Sequence, residues 1–331
     1  MALAALVLML ASQRPASLGA PRANPFAPTA SHALRVQHDA KFVAWPSLND
    51  PDAFARVGAG SRHRLHLWRP RAGSPPVADD PTAALLAGDA LLARFGRALA
   101  RRKAVDRKEF FEACEFFAQV RSKLKADGAL VAPREERARS GARRAAGTLV
   151  DCAGGHGLVG ALAAMLKFRD FERVVVRDRR RPAAFDAVVD AAVEAAPWVA
   201  GRLVYEEGVL GPKGPPLPAG CAVACVHGCN TLTDVVIAAA AAADARSVAL
   251  MPCCYQQTSA EAPRALRRAL GVDVAADVHR TYALEALGYS VSWRAIPRSI
   301  TPMNRILLAH RPARDAGETA PGAPARDEPA P

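Results

Sequence analysis

The 331-residue sequence predicts an α/β fold. The expected architecture is a doubly wound, seven-stranded sheet, parallel over most of its width, closed by a terminal antiparallel hairpin and preceded by a helical N-terminal extension. Three observations carry that expectation. Between residues 148 and 251, short apolar strands alternate with helical runs, the order that builds a parallel sheet covered on both faces. The stretch TLVDCAGGHGLVG, residues 148–160, turns a strand sharply into a helix through small residues. Two last strands, 289–295 and 305–309, follow one another across a short Pro-containing turn with no helix between them.

Residues 1–40 read as either an organelle transit segment or a disordered tail. The apolar run 2–10 is too short to span a bilayer, and residues 1–38 carry no Asp or Glu while Arg14, Arg22 and Arg35 are scattered among Ser, Ala and Pro. Residues 41–105 form an irregular and helical extension: 41–81 are rich in Pro and turn formers, and a helix is expected over 82–102. The main domain spans 106–311 and opens with a second helix, 106–126. Asp106 and Glu109 make a capping box there. Phe110, Cys114, Phe117, Val120 and Leu124 recur at helical spacing, which is the pattern of a face packed on a core. The basic segment 134–144 reads as a solvated linker into the first strand.

After the Gly-rich turn, the pattern gives a helix over 158–168 and a strand over 173–177 that ends at Asp178. A helix over 185–195 and a strand over 202–205, followed by Glu206 and Glu207, come next. Pro and Gly mark a loop over 211–220. The strand 222–226, a helix from Asp234 and the strand 247–251 complete the alternation. Residues 312–331 lack large apolar side chains and read as a disordered tail.

Composition narrows the setting. Half of the residues are hydrophobic, enough for a packed core, and the formal net charge is +12. Such a balance suits an acidic partner such as RNA, although the excess of Arg over Lys beside abundant Ala is also the signature of a GC-rich genome. The seven cysteines are odd in number and sit mostly in strand-like segments, which argues against an extracellular disulfide framework. An intracellular location follows, cytoplasmic or, if the N-terminus is a transit segment, in a plastid or mitochondrion. No membrane partner is expected, and the oligomeric state is left open.

Ligands of open α/β sheets bind at the carboxyl ends of the strands. The residues there are the Gly turn, Asp178, the cluster His227-Gly228-Cys229-Asn230, and Pro252-Cys253-Cys254-Tyr255. A turn of small residues at a helix N-terminus suits a nucleotide-like cofactor, and Asp178 lies where such folds place a carboxylate on the ribose hydroxyls. Read as Gly155-x-Gly157-x-x-Gly160, the turn fits a dinucleotide, making the chain an NAD-binding oxidoreductase. Read as Asp151-x-Ala153-x-Gly155-x-Gly157, it resembles the first motif of class I S-adenosylmethionine (SAM)-dependent methyltransferases, with Ala in the first Gly position.

Four motifs in order, DCAGGHG, VHGCNTLTD, PCCY and ITPMNRILLA, together resemble one branch of those methyltransferase domains. That branch includes the domain at the end of glutathione S-transferase C-terminal-domain-containing protein and, more distantly, tRNA 2′-O-methyltransferase-like proteins. The match runs over about 106–309, and the chain has Asn230 where the branch commonly has Gly. The resemblance implies a seven-stranded Rossmann-like methyltransferase sheet. It also implies SAM as cofactor, bound by Asp151, Ala153, Gly155, Gly157 and Asp178, with His227 and Tyr255 as candidate catalytic bases. The methyl acceptor is open, RNA being favoured slightly. A non-catalytic protein of the same fold that binds RNA or a partner is a third reading. For Cys229, Cys253 and Cys254, packing, a covalent nucleophile and zinc ligation all compete. No metal is expected, because His-x-Cys and adjacent Cys-Cys depart from the usual C-x-x-C spacing.

Overall fold

A computed structural model describes residues 88–127, 147–255, 262–298, 300–301 and 303–311. The expected transit segment, the irregular stretch 41–81, the linker 134–144 and the tail 312–331 lie outside the described residues.

Seven strands form one sheet: β1 (Gly147–Cys152), β2 (Phe171–Asp178), β3 (Leu203–Glu207), β4 (Ala222–Cys225), β5 (Ser247–Leu250), β6 (Ser290–Ala295) and β7 (Arg305–His310). Their order is β3-β2-β1-β4-β5-β7-β6. The pairs β1–β2, β1–β4, β2–β3 and β4–β5 are parallel, and β7 runs antiparallel to both β5 and β6. The strand order reverses between β1 and β4, so the crevice of this Rossmann-like sheet opens beyond the carboxyl ends of those two strands. The fold class is therefore the one expected, hairpin included.

The helices are α1 (Leu91–Arg102), α2 (Arg107–Val120), α3 (Leu158–Leu166), α4 (Ala184–Ala195), α5 (Leu232–Ala242), α6 (Arg264–Leu270) and α7 (Val272–Ala286). Strand residues alternate between the two faces, as a period of two requires. Leu149, Val174, Val176, Ala222 and Ala224 join the core under α2, α3 and α4. Val150, Val175, Val223 and Val248 join a second core with Val236, Ile237 and Leu284 of α5 and α7.

Helix α2 begins at the expected capping box of Asp106 and Glu109. Its side chains Phe110, Phe111, Phe116 and Phe117 are fully buried, as are Cys114, Val120 and Leu124. At about 1.5–3 kcal/mol per buried Phe, this apolar face is what fixes α2 over the sheet. Helix α1 packs on α4 and shares the same core, so the described part of the extension and the domain form one packed unit.

Helices α6 and α7 fill the connection from β5 to β6, a stretch the sequence pattern left unassigned. Helix α7 is amphipathic, but its inward face carries Asp277 and Arg280 as well as Leu284, which blurs the apolar stripe.

Candidate functional site

The crevice is built from three strand ends and one helix. At the end of β1, Ala153, Gly155 and Gly157 all adopt left-handed backbone, with φ of 53°, 51° and 78°. Gly is the natural residue for that conformation, and an L side chain there costs about 1–2 kcal/mol, so Ala153 holds strain that the turn imposes. A Cβ on Gly157 would meet Phe185 and Val176 at 3.0 Å, whereas one on Gly155 would meet nothing within 4 Å. The backbone at Gly155 is thus open to approach.

Asp151 is buried, and its Oδ2 accepts the Gly160 N–H at 2.9 Å. That bond clamps the first turn of α3 to the end of β1. Burial pushes its carboxyl up to about 7, against the opposing effect of the Gly160 N–H and the nearby His156. Asp178 Oδ2 accepts the Gly155 N–H at 3.0 Å, and its Oδ1 accepts the Arg179 N–H at 2.6 Å. Each carboxylate oxygen keeps a further lone pair for a ligand hydroxyl. The neighbouring acids are engaged elsewhere: Glu206 is held by Arg177 and Arg173, and Glu207 accepts the Arg181 N–H.

Beyond β4 the chain turns through His227 at φ 110° and Asn230 at φ 56°. The second value explains why Asn can stand where the resembling branch has Gly, since Asn is among the few side chains that tolerate this region. The first is an outlier for a His, of the kind that persists only where surrounding bonds over-determine it. Those bonds are visible: Thr233 Oγ1 donates to Gly228 O, the Cys229 N–H donates to His227 O at 2.8 Å, and Arg280 Nη2 donates to Asn230 O at 2.8 Å. Arg280 also forks onto Asp234 at 2.8 and 2.9 Å, fixing the start of α5.

Helix α2 lies across the crevice and supplies two carboxylates one turn apart. Glu112, 1% exposed, places Oε2 3.3 Å from His227 Nε2. Glu109 Oε2 lies 3.1 Å from His156 Nε2, and that hydrogen bond is the main reason its carboxyl is held below the usual range. A cavity is lined by Glu109, Ala113, Asp151, Ala153, Gly154 and His227, among others.

The structure therefore brings together Asp151, Ala153, Gly155, Gly157, Asp178 and His227. It does not bring Tyr255 to the cavity. The Tyr255 hydroxyl donates to Asp277 Oδ1 at 2.7 Å, and the guanidinium groups of Arg280 and Arg305 stand 5.6 and 5.9 Å from its ring centre. Burial, followed by the charge of Asp277, pushes the phenol well up from its ordinary value, so its geometry is that of a brace and not of a base. Glu109 and Glu112 were missed as site residues. Their spacing of three put them on one face of α2, but only the fold shows that this face meets the strand ends.

Cys114, Cys152, Cys221 and Cys225 are buried. Cys229, Cys253 and Cys254 instead converge at the crevice rim, with all three sulfurs within 4.8 Å of one another.

Neither a protein-family model nor a curated protein matches the chain. Among solved structures it is similar to an O-methyltransferase family protein from Burkholderia thailandensis, at 14% identity over 70% of this chain and 68% of that one, with a TM-score of 0.33. It is similar also to the 16S rRNA (adenine(1408)-N(1))-methyltransferase of Catenulisporales acidiphilia, at 20% identity over 58% and 99%, TM-score 0.33. A third is the mitomycin 7-O-methyltransferase MmcR, at 18% identity over 70% and 75%, TM-score 0.30. At these values the matches add nothing to the topology described above.

Proposed function

We propose that the chain is a SAM-dependent methyltransferase whose cofactor sits in the crevice between the ends of β1 and β4. The observation that carries the reading is the conjunction of β7 inserted antiparallel between β5 and β6 with a Gly turn hydrogen-bonded to Asp178 at the switch point. The residues present suit the group: the backbone at Gly155 is open, and Asp178 has lone pairs to spare for two ribose hydroxyls. Asp151 serves from behind, by holding Gly160 and so the turn. The NAD reading accounts for Gly155, Gly157 and Gly160 but gives no reason for the β7 insertion.

SAM supplies an electrophilic methyl group for in-line displacement, so the chain's main task is alignment. A base helps only where the acceptor must lose a proton. Glu112 Oε2 stands within ion-pair distance of His227 Nε2, at 3.3 Å. Its carboxylate offers a counter-charge to the imidazolium formed when His227 takes a proton. The acceptor in this reading is an O–H or N–H group. RNA is favoured among acceptors by the net charge of +12.

The test is transfer of labelled methyl from SAM to RNA, protein and small-molecule pools. Incorporation into RNA is expected, falling about a hundredfold in His227→Ala. Glu112→Gln should lower the rate as well, by removing that counter-charge. Transfer that ignores both substitutions would remove His227 from the chemistry.

A further inference from the structure

We propose that Cys229, Cys253 and Cys254 form a binding site for one thiophilic divalent cation of the zinc class, with a fourth coordination position left to solvent or to a substrate atom. The sulfurs of Cys229 and Cys253 lie 3.1 Å apart, those of Cys253 and Cys254 3.6 Å, and all three fall within 4.8 Å. Zinc–sulfur bonds of about 2.3 Å in a tetrahedron set sulfurs about 3.8 Å apart. Side-chain adjustments of under an ångström therefore suffice.

The scaffold beneath the sulfurs is fixed independently of them. The Asn230 N–H donates to Cys254 O at 3.1 Å, joining the loops that follow β4 and β5, and Arg280 holds Asn230 from below. Exposure is graded, with Cys254 exposed and Cys229 and Cys253 half-buried, which provides an entry path. A bound cation would supply the positive charge that thiolates there otherwise lack.

The expectation of no metal rested on ligand spacing along the chain. Because β4 and β5 are neighbours in the sheet, ligands 24 residues apart in sequence meet at one rim, and spacing no longer decides. Three protein ligands with one position free is the pattern of a site that binds an exchangeable group; structural zinc sites use four. The inference stands without the methyltransferase reading, since it concerns ligation alone.

The test titrates the full chain, kept reduced, with Zn2+ against a competing chromogenic chelator, and repeats the titration with Co2+ to read sulfur ligation from charge-transfer absorption. One equivalent per chain is expected. Cys229→Ser, Cys253→Ser and Cys254→Ser should each weaken binding more than about tenfold, since even indirect supports of a metal site cost 10–100-fold. Alkylation of the unsubstituted chain keeps the test decisive where a variant fails to fold: Zn2+ should protect Cys254, whose side chain is exposed. Absence of stoichiometric binding, binding indifferent to all three substitutions, or unprotected Cys254 would each overturn the proposal. A Cys229–Cys253 disulfide that persists in reductant and excludes Zn2+ would overturn it as well.

Discussion

Replacing Asp178 by Ala removes the carboxylate that joins the Gly turn to the end of β2. Two consequences separate cleanly. The Gly155 N–H loses its acceptor, but Asp178 is only half-buried and water can replace it, so the loss of folding stability should stay near 1 kcal/mol. The ribose loses a charged acceptor, and hydrogen bonds to charged groups contribute about 1.5–3 kcal/mol. SAM affinity should therefore fall by about 10- to 150-fold. Asp178→Asn gives an internal control: its amide oxygen can still accept the Gly155 N–H, but the charge is gone, so turn geometry is retained while affinity drops by an intermediate amount. Calorimetric titration of the three proteins with SAM, after circular dichroism shows that each is folded, reads the effect directly. If folded Asp178→Ala binds SAM as tightly as the parent chain, Asp178 is only a turn residue among Arg177, Arg179 and Arg180, and the ribose lies elsewhere.

Other expectations concern the frame. Ala153→Gly relieves a left-handed Ala and should raise stability by about 1 kcal/mol, seen as a higher Tm; a lower Tm would mean that Ala153 is not strained. Asp277→Ala should destabilise by about 3–5 kcal/mol, because Asp277 is fully buried and bonded to Arg305 Nε and the Tyr255 hydroxyl, both at about 2.7–2.8 Å; a change under 1 kcal/mol in denaturant titration would refute its bracing role. The Asp151 carboxyl is raised from 3.8 to about 7, so the folded state holds its proton more tightly than the unfolded one. Its stabilisation is complete below about pH 4 and is lost as pH rises toward 7, by up to about 4 kcal/mol. Asp151→Asn should flatten that fall between pH 4 and 7, and parallel pH–stability curves for the two proteins would show that the carboxyl is not raised.

The fold was legible where local pattern and tertiary contact agree. The alternation of strands and helices, the capping box at Asp106 and the terminal hairpin all depend on neighbours in sequence. Helices α6 and α7 were not read, because their buried face mixes Asp277 and Arg280 with Leu284 and so shows no clean apolar stripe. In the site, the Gly turn and Asp178 were visible because strand-to-helix turns have a compositional signature. The position of Tyr255 was not, since its fate depends on Asp277, 22 residues later on an unassigned helix. Glu112 was hidden for the same reason, since it owes its place to contacts between segments that sequence spacing cannot measure. The three thiols were among the candidates, but spacing along the chain argued against a metal, and only the pairing of β4 with β5 brings their sulfurs together.

The central claim is the identity of the cofactor, and one measurement addresses it most directly: calorimetric titration of the full chain with SAM, S-adenosylhomocysteine and NAD under identical conditions. The crevice described here predicts one site per chain for SAM or S-adenosylhomocysteine at micromolar Kd, about −7 to −8 kcal/mol, with no measurable heat from NAD. Tight binding of NAD with none of SAM would contradict the account and return the Gly155, Gly157 and Gly160 turn to the dinucleotide reading.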